Sequence, residues 1–263
     1  MSKFSIRLTL LFSLAFFLNS QAQNWKCGLP DPAEVKRQML ENREEMRDYI
    51  FDRSAVTYVP VRFYLVAKTD GTGRNSERLA LRALCLLNEH YLDQNIQFYL
   101  KEFKYPNHTT IYNNSMSNSG WNALKTQVNS NYNAINIFIV DEAGGDAAAY
   151  YQPPATGQNK ADWIVCAGEY ADDTRVLAHE VGHFFSLPHT FNGWEPSGGW
   201  DATIHGNPVG TWAPDGQTLN EFVDGTNCQT AGDAICDTPA DYMFPSANCT
   251  YNPVAKDPHG ELV

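Results

Sequence analysis

The chain has 263 residues, 43% apolar and 13% aromatic, which supplies a buried core and excludes a disordered or collagen-like polymer. Its 30 acidic and 19 basic residues give a formal charge of -11, so it lacks the clustered Lys and Arg that a nucleic-acid surface needs. No apolar run reaches the roughly 18 residues of a membrane span.

Lys3 and Arg7 precede an apolar stretch from Leu8 to Leu18, and Ser20-Gln21-Ala22 follows as a small-x-small cleavage pattern. This is the layout of a secretory signal over residues 1–22. It predicts a secreted or extracellular protein, periplasmic in some hosts, with no membrane span after signal removal. Export lets disulfides persist. The six cysteines contain no Cys-x-x-Cys pair, which disfavours a cysteine-based zinc site. Cys228, Cys236 and Cys249 crowd into a loop-rich region, where at least one disulfide is expected.

Residues 23–55 read as a pro-segment or helical lead-in. A charged helix is predicted from Asp31 to about Arg53, with Pro32 in its first turn and a thin stripe of Met39, Met46 and Ile50. Val56 to Val66 is β-branched and aromatic and predicts a strand, with Pro60 marking an edge or a bulge. Asp70-Gly71-Thr72-Gly73 is turn chemistry. Asn75 then caps a helix to about Leu92, whose inward face is Ala80, Leu84, Leu87 and Tyr91, with Cys85 packed. Strands follow at Ile96–Phe103, at Ile135–Val140, at Ala147–Gln152 before Pro153-Pro154, and at Trp163–Cys166. The continuous apolar run of Ile135–Val140 marks a strand buried on both faces. Asp172 or Asp173 caps a helix that runs to about Ser186, and the chain beyond Leu187 is dominated by loops. The order of strands and helices is α/β.

The chemistry lies in residues 179 to 189, His-Glu-Val-Gly-His-Phe-Phe-Ser-Leu-Pro-His. On a helix, His179 and His183 share a face about 5–6 Å apart and can bind one zinc ion. Glu180 is rotated about 100° away, outside the ligand set but beside the ion's open position, facing solvent. Leu177, Val181, Phe184 and Phe185 form the opposite, core-facing stripe. Pro188 ends the helix and lets His189 turn back to the same ion, leaving a fourth position for water. A chance match to this pattern in a chain of this composition is on the order of 10⁻⁴.

His179 to Phe191 resembles the metzincin zinc-protease motif, and its His-Thr-Phe continuation resembles the pappalysin family. Gly232-Asp233-Ala234-Ile235-Cys236-Asp237-Thr238-Pro239 is similar to a stretch downstream of that family's active helix, and Val56–Val66 resembles its opening strand. The likeness covers roughly residues 56 to 253. It implies a zincin-like metzincin fold of α/β (α+β) class: a twisted mixed sheet with an active-site helix, then a loop-rich C-terminal subdomain. The implied catalytic domain is 56–263, with an upper part at 56–189 and a partial lower part at 190–263. His179, His183 and His189 become zinc ligands, and Glu180 the general base of an endopeptidase. Its partner is a protein or peptide substrate in extended conformation, paired on the strand at Ala147–Gln152.

The family usually has glycine where Ser186 stands, because the chain turns sharply there. A left-handed conformation costs a non-glycine residue about 1–2 kcal/mol. The family's methionine-containing turn is not recognisable: Met243 precedes the expected place and reads as a loop residue, which suggests a truncated C-terminus. Cys27-Gly28 is similar to zymogen segments whose thiolate fills the open zinc position, making Cys27 a candidate latency switch. Asp233, Asp237 and Thr238 offer calcium-type oxygens near a region where related enzymes bind that ion; the alternative is a turn held by Asx hydrogen bonds. Two other functions stay open: a zinc hydrolase with a downstream carboxylate in place of His189, and a secreted binding module or inactive homologue. A site closed by four protein ligands would favour the module.

Overall fold

The computed structural model describes residues 26–49, 54–128, 133–154, 161–244 and 254–263. The expected secretory signal, residues 50–53 and Cys249 lie outside the described residues, and the first predicted helix stops at Glu45, short of its expected end near Arg53. Among the described residues, no helix is long and apolar enough to cross a membrane.

Helix α1 (Pro32–Glu45) starts where the Asp31 carboxylate accepts the Glu34 N–H, with Pro32 in the first turn. Arg37 pairs with buried Glu34 and exposed Glu41. Its anchor is Val35, fully buried in the core, with Met39 beside it; Met46, expected in the inward stripe, is exposed.

Five strands build one mixed sheet in the order β2-β1-β3-β5-β4. β1 (Thr57–Leu65) pairs in parallel with β2 (Ile96–Lys104) and β3 (Ile135–Val140), and β3 pairs in parallel with β5 (Trp163–Ala167). β4 (Ala149–Gln152) runs antiparallel to β5 and forms the edge. Pro60 therefore sits in an interior strand, not at an edge, and the pairing with β2 shifts register between Val61 and Arg62, just after it. Every residue of β3 is buried, as its unbroken apolar run requires. One face packs against α2 (Glu77–His90) and α5 (Val176–Phe184), with Phe63, Ile137, Ile139, Leu84, Leu87 and Val181 in one cluster. The other face, with Tyr64 and Phe138 stacked at 4.1 Å, packs against α3 (Thr109–Asn114) and α4 (Asn118–Val128).

Ser76, not Asn75, caps α2, and its hydroxyl accepts the Leu79 N–H. Asn75 instead donates to the Val140 carbonyl at the end of β3. Cys85 is exposed rather than packed: with Leu84 and Leu87 turned inward, the 100° step per residue carries it outside. Beyond α5 the described residues are mostly turns, with a short helix α6 (Ala202–His205). Its own small core holds Trp194 stacked on Tyr242 at 5.0 Å. Of the crowded cysteines, Cys228 and Cys236 form a disulfide.

The double-sided burial of β3 yields a stability test. Phe138→Ala should lose about 3–5 kcal/mol in urea unfolding, whereas Tyr58→Ala on the exposed rim should stay within about 0.5 kcal/mol.

Candidate metal centre

α5 carries the first two histidines. Its N-terminus lacks a side-chain cap: Arg175 holds the cap position, and Asp173, expected to cap the helix, accepts the Arg175 N–H one step earlier. Leu177 and Val181 are buried in the core as their spacing predicts, which turns His179 and His183 toward the opposite side. The helix ends in a Schellman motif, with the Leu187 N–H on the Gly182 carbonyl and the Ser186 N–H on the His183 carbonyl. Ser186 takes the left-handed conformation that glycine usually supplies, at φ 66°. Its hydroxyl accepts a hydrogen bond from Asn42 of α1 at 3.1 Å.

That reversal, followed by Pro188, brings His189 back against the helix. His183 Nε2 lies 3.0 Å from His179 Nε2 and 3.2 Å from His189 Nε2. The proton positions follow from the outer partners. His183 Nδ1 is 2.7 Å from the Leu187 carbonyl oxygen, which can only accept, so Nδ1 donates and Nε2 keeps a lone pair facing inward. His189 Nδ1 donates in the same way to Glu195 Oε1 at 3.0 Å. Burial, followed by the neighbouring imidazoles, lowers the pKa of His183 to about 3; burial and His189 lower that of His179 to about 4. The Nε2 lone pairs of His183 and His189 then face each other 3.2 Å apart, a contact that a cation between them relieves.

The fourth corner is filled from the other end of the chain. Cys27 Sγ lies 3.6 Å from His183 Nε2, and one donor atom from each of Cys27, His179, His183 and His189 falls within 4.8 Å of the others. Among the described residues this is the group of three or more His, Cys, Asp or Glu donors compact enough to share an ion. Tetrahedral zinc bonds of about 2.0–2.1 Å to nitrogen and about 2.3 Å to sulfur set donors about 3.3 Å apart for N–N and about 3.6 Å for N–S. The donor set fits zinc.

Cys27 is delivered by the free edge of β4. The Ala148 N–H donates to the Lys26 carbonyl at 2.9 Å and the Gly28 N–H to the Ala149 carbonyl at 2.8 Å, with Cys27 bridged in parallel to Ala149. Gly28 is required at this crossing, because an added Cβ would lie 2.7 Å from the Ala147 Cβ. The segment also changes the expected setting of Glu180, which is fully buried instead of facing solvent. Neither of its carboxylate oxygens makes a hydrogen bond of normal geometry. Burial raises its pKa to about 8, offset only in part by the Cys27 thiol and the Tyr151 backbone. The Cys27 thiol is in turn pushed well above its usual range by burial and by Glu180.

Met243 belongs to this neighbourhood more than its loop position suggested. With Cys27, Met116, Phe191 and Glu195 it lines a cleft of about 670 Å3 that reaches His179 and His189. Phe191 stacks on the His189 ring at 4.6 Å. Phe191 closes the His-Thr-Phe continuation, whereas Glu195 has no sequence signal of its own; both lie in the irregular loop after the third histidine. Of the expected calcium residues, Asp233 is buried and accepts from the Thr238 hydroxyl and the Ile235 N–H, while Asp237 is exposed.

No protein-family model matches the chain. It is 25% identical over 220 residues to an extracellular metalloprotease of Colletotrichum graminicola, covering 78% of this chain and 64% of that protein. It is 27% identical over 190 residues to an extracellular metalloprotease of Neurospora crassa, covering 64% and 65%. The chain thus spans slightly less than two thirds of the length of these two relatives. Its fold matches that of a promirolysin variant from Tannerella forsythia, with a TM-score of 0.50 and 17% identity over 82% of this chain and 76% of that one. The mixed five-stranded sheet and its packed helix are the zincin-like metzincin fold expected from the sequence.

Burial ranks the free thiols. In metal-free native protein at pH 8, iodoacetamide should modify exposed Cys85 first and spare Cys27 and Cys166 until unfolding, as read by peptide mass spectrometry. Rapid alkylation of Cys27 would contradict its half-buried placement and raised thiol pKa.

Proposed function

We propose that the chain is a secreted zinc endopeptidase of pappalysin type, held latent by its own lead-in segment. His179, His183 and His189 would hold the zinc, Cys27 would occupy the fourth position as the latency switch, and Glu180 would be the general base. The names of the extracellular relatives support secretion and a peptide substrate. The His-Thr-Phe continuation after His189 supports the finer family reading.

The observation that carries the proposal is Glu180. Four protein donors by themselves also describe a structural zinc site, and with it the binding-module reading. A structural site gains nothing from a buried carboxyl group whose oxygens lack hydrogen bonds of normal geometry, which costs stability. A general base for water needs a carboxyl group beside the metal position.

Zinc in this site supplies a Lewis acid for the scissile carbonyl and lowers the pKa of a water molecule. Displacement of residues 26–28 frees the β4 edge for the backbone of an extended peptide. Glu180 then takes the proton of the attacking water on its carboxylate and delivers it to the departing amine nitrogen. Asp233 already has its oxygens bound by Thr238 and Ile235, and Asp237 lies in solvent, so this geometry gives calcium no support.

The test combines metal analysis with casein hydrolysis, before and after proteolytic cutting between residues 45 and 56. The intact chain should hold zinc and be nearly inactive; cutting, or Cys27→Ala, should raise hydrolysis at least tenfold. Glu180→Ala should keep zinc and lose hydrolysis by at least about 10²-fold, and His183→Ala should lose both. A cut, zinc-loaded chain with no hydrolysis would instead support the binding module. Unchanged zinc affinity in His189→Ala would favour a hydrolase with a different third ligand.

A further inference from the structure

Glu195 takes no part in the ligand set, yet its two oxygens are both committed. Oε1 accepts from His189 Nδ1 at 3.0 Å, and Oε2 accepts the Gly193 N–H at 2.8 Å. The residue sits in a 3-10 turn (Glu195–Ser197) whose placement is fixed from both sides. Trp194 is buried in the lower core, stacked on Tyr242, with its Nε1 donating to Asn220 at 2.9 Å. Gly193, at φ 96°, presses against Thr218 and Ala213 so closely that an added Cβ would lie 2.7 Å and 2.9 Å from theirs. The carboxylate is therefore held at a rigid position behind the third imidazole.

We propose that Glu195 is the positioning residue of the metal centre. By accepting the Nδ1 proton it fixes the His189 tautomer with Nε2 free for the metal, and it places a negative charge behind that ring. His183 has only a neutral carbonyl, that of Leu187, in the corresponding place. A charged acceptor makes the stronger bond and raises the basicity of the imidazole it holds. Phe191 stacks on one face of His189, so ring plane and ring rotation are set by different residues. The inference rests on the zinc reading above and adds to it the source of the third ligand's orientation.

The test measures zinc affinity by competition with a chromogenic chelator for the full chain and for Glu195→Gln, Glu195→Ala and His189→Ala. The visible spectrum of the cobalt-substituted forms and the His189 tautomer by nitrogen-15 NMR of the metal-free protein are read beside it. Glu195→Ala should bind zinc about 10–100-fold more weakly. Glu195→Gln keeps the shape but can accept from only one of its two partners, so it should fall between Glu195→Ala and the parent chain. Both variants should shift the cobalt bands, and Glu195→Ala should lose the single Nδ1–H tautomer. Thermal melts in chelator check folding, and Glu195→Gln serves where Glu195→Ala does not fold. Parent-like affinity and an unchanged His189 tautomer in a folded Glu195 variant overturn the inference while leaving the zinc reading intact. A parent chain that binds no zinc overturns both.

Discussion

The arrangement around α5 follows from one electrostatic constraint: the Nε2 lone pairs of His183 and His189 face each other at 3.2 Å, with His179 Nε2 3.0 Å from the first of them. Such a contact persists only because the rings are forced inward from outside. The Leu187 carbonyl and the Glu195 carboxylate take the outer protons, and the Schellman reversal at Ser186 returns the third ring to the first two. The same reversal explains why a residue with a side chain tolerates a left-handed conformation there. Its hydroxyl meets Asn42, and the turn it makes decides whether the third histidine arrives at all.

The lead-in segment answers the same constraint from the other side. It brings a thiol to the fourth corner and closes Glu180 away from water. Helix α1 then ties it down through contacts on both halves of the chain. Val35 enters the main core, Lys36 donates to the Gly232 carbonyl at 2.7 Å, and Arg43 donates to the Ala234 carbonyl. A weakly apolar helix thus holds its place by polar contacts to main-chain oxygens, which no amphipathic stripe announces.

What the sequence made legible is local. The three histidines could be placed because four-residue spacing puts two on one helix face and a proline marks where the third departs. The buried central strand could be placed because an unbroken apolar run fits little else. Judgements that depended on distant partners went differently. Glu180 was expected in solvent, but the residue that helps cover it is Cys27, more than 150 positions away. Cys85 was assigned to the packed face of α2, where a single step along the helix separates inside from outside. Pro60 marks an edge or a bulge by its residue type alone; the strand is interior and its pairing shifts register one residue further on, which only the neighbouring strand decides. Glu195 carried no signal, because its position is set by the packing of Trp194 and the closeness of Gly193 to Thr218, neither of which has a period.

The pairing of residues 26–28 with the edge of β4 is made almost wholly by main-chain groups. Such pairing does not discriminate by side chain, so any stretched peptide competes for the same rail. What favours the resident is its own anchorage: Cys27 at the metal corner, the contacts of α1 with the rest of the chain, and covalent attachment, which raises its effective concentration over that of a free competitor. Severing the connection removes only the covalent part of that advantage and leaves the grip of α1, so the two can be separated by how far a cut alone lets the segment go.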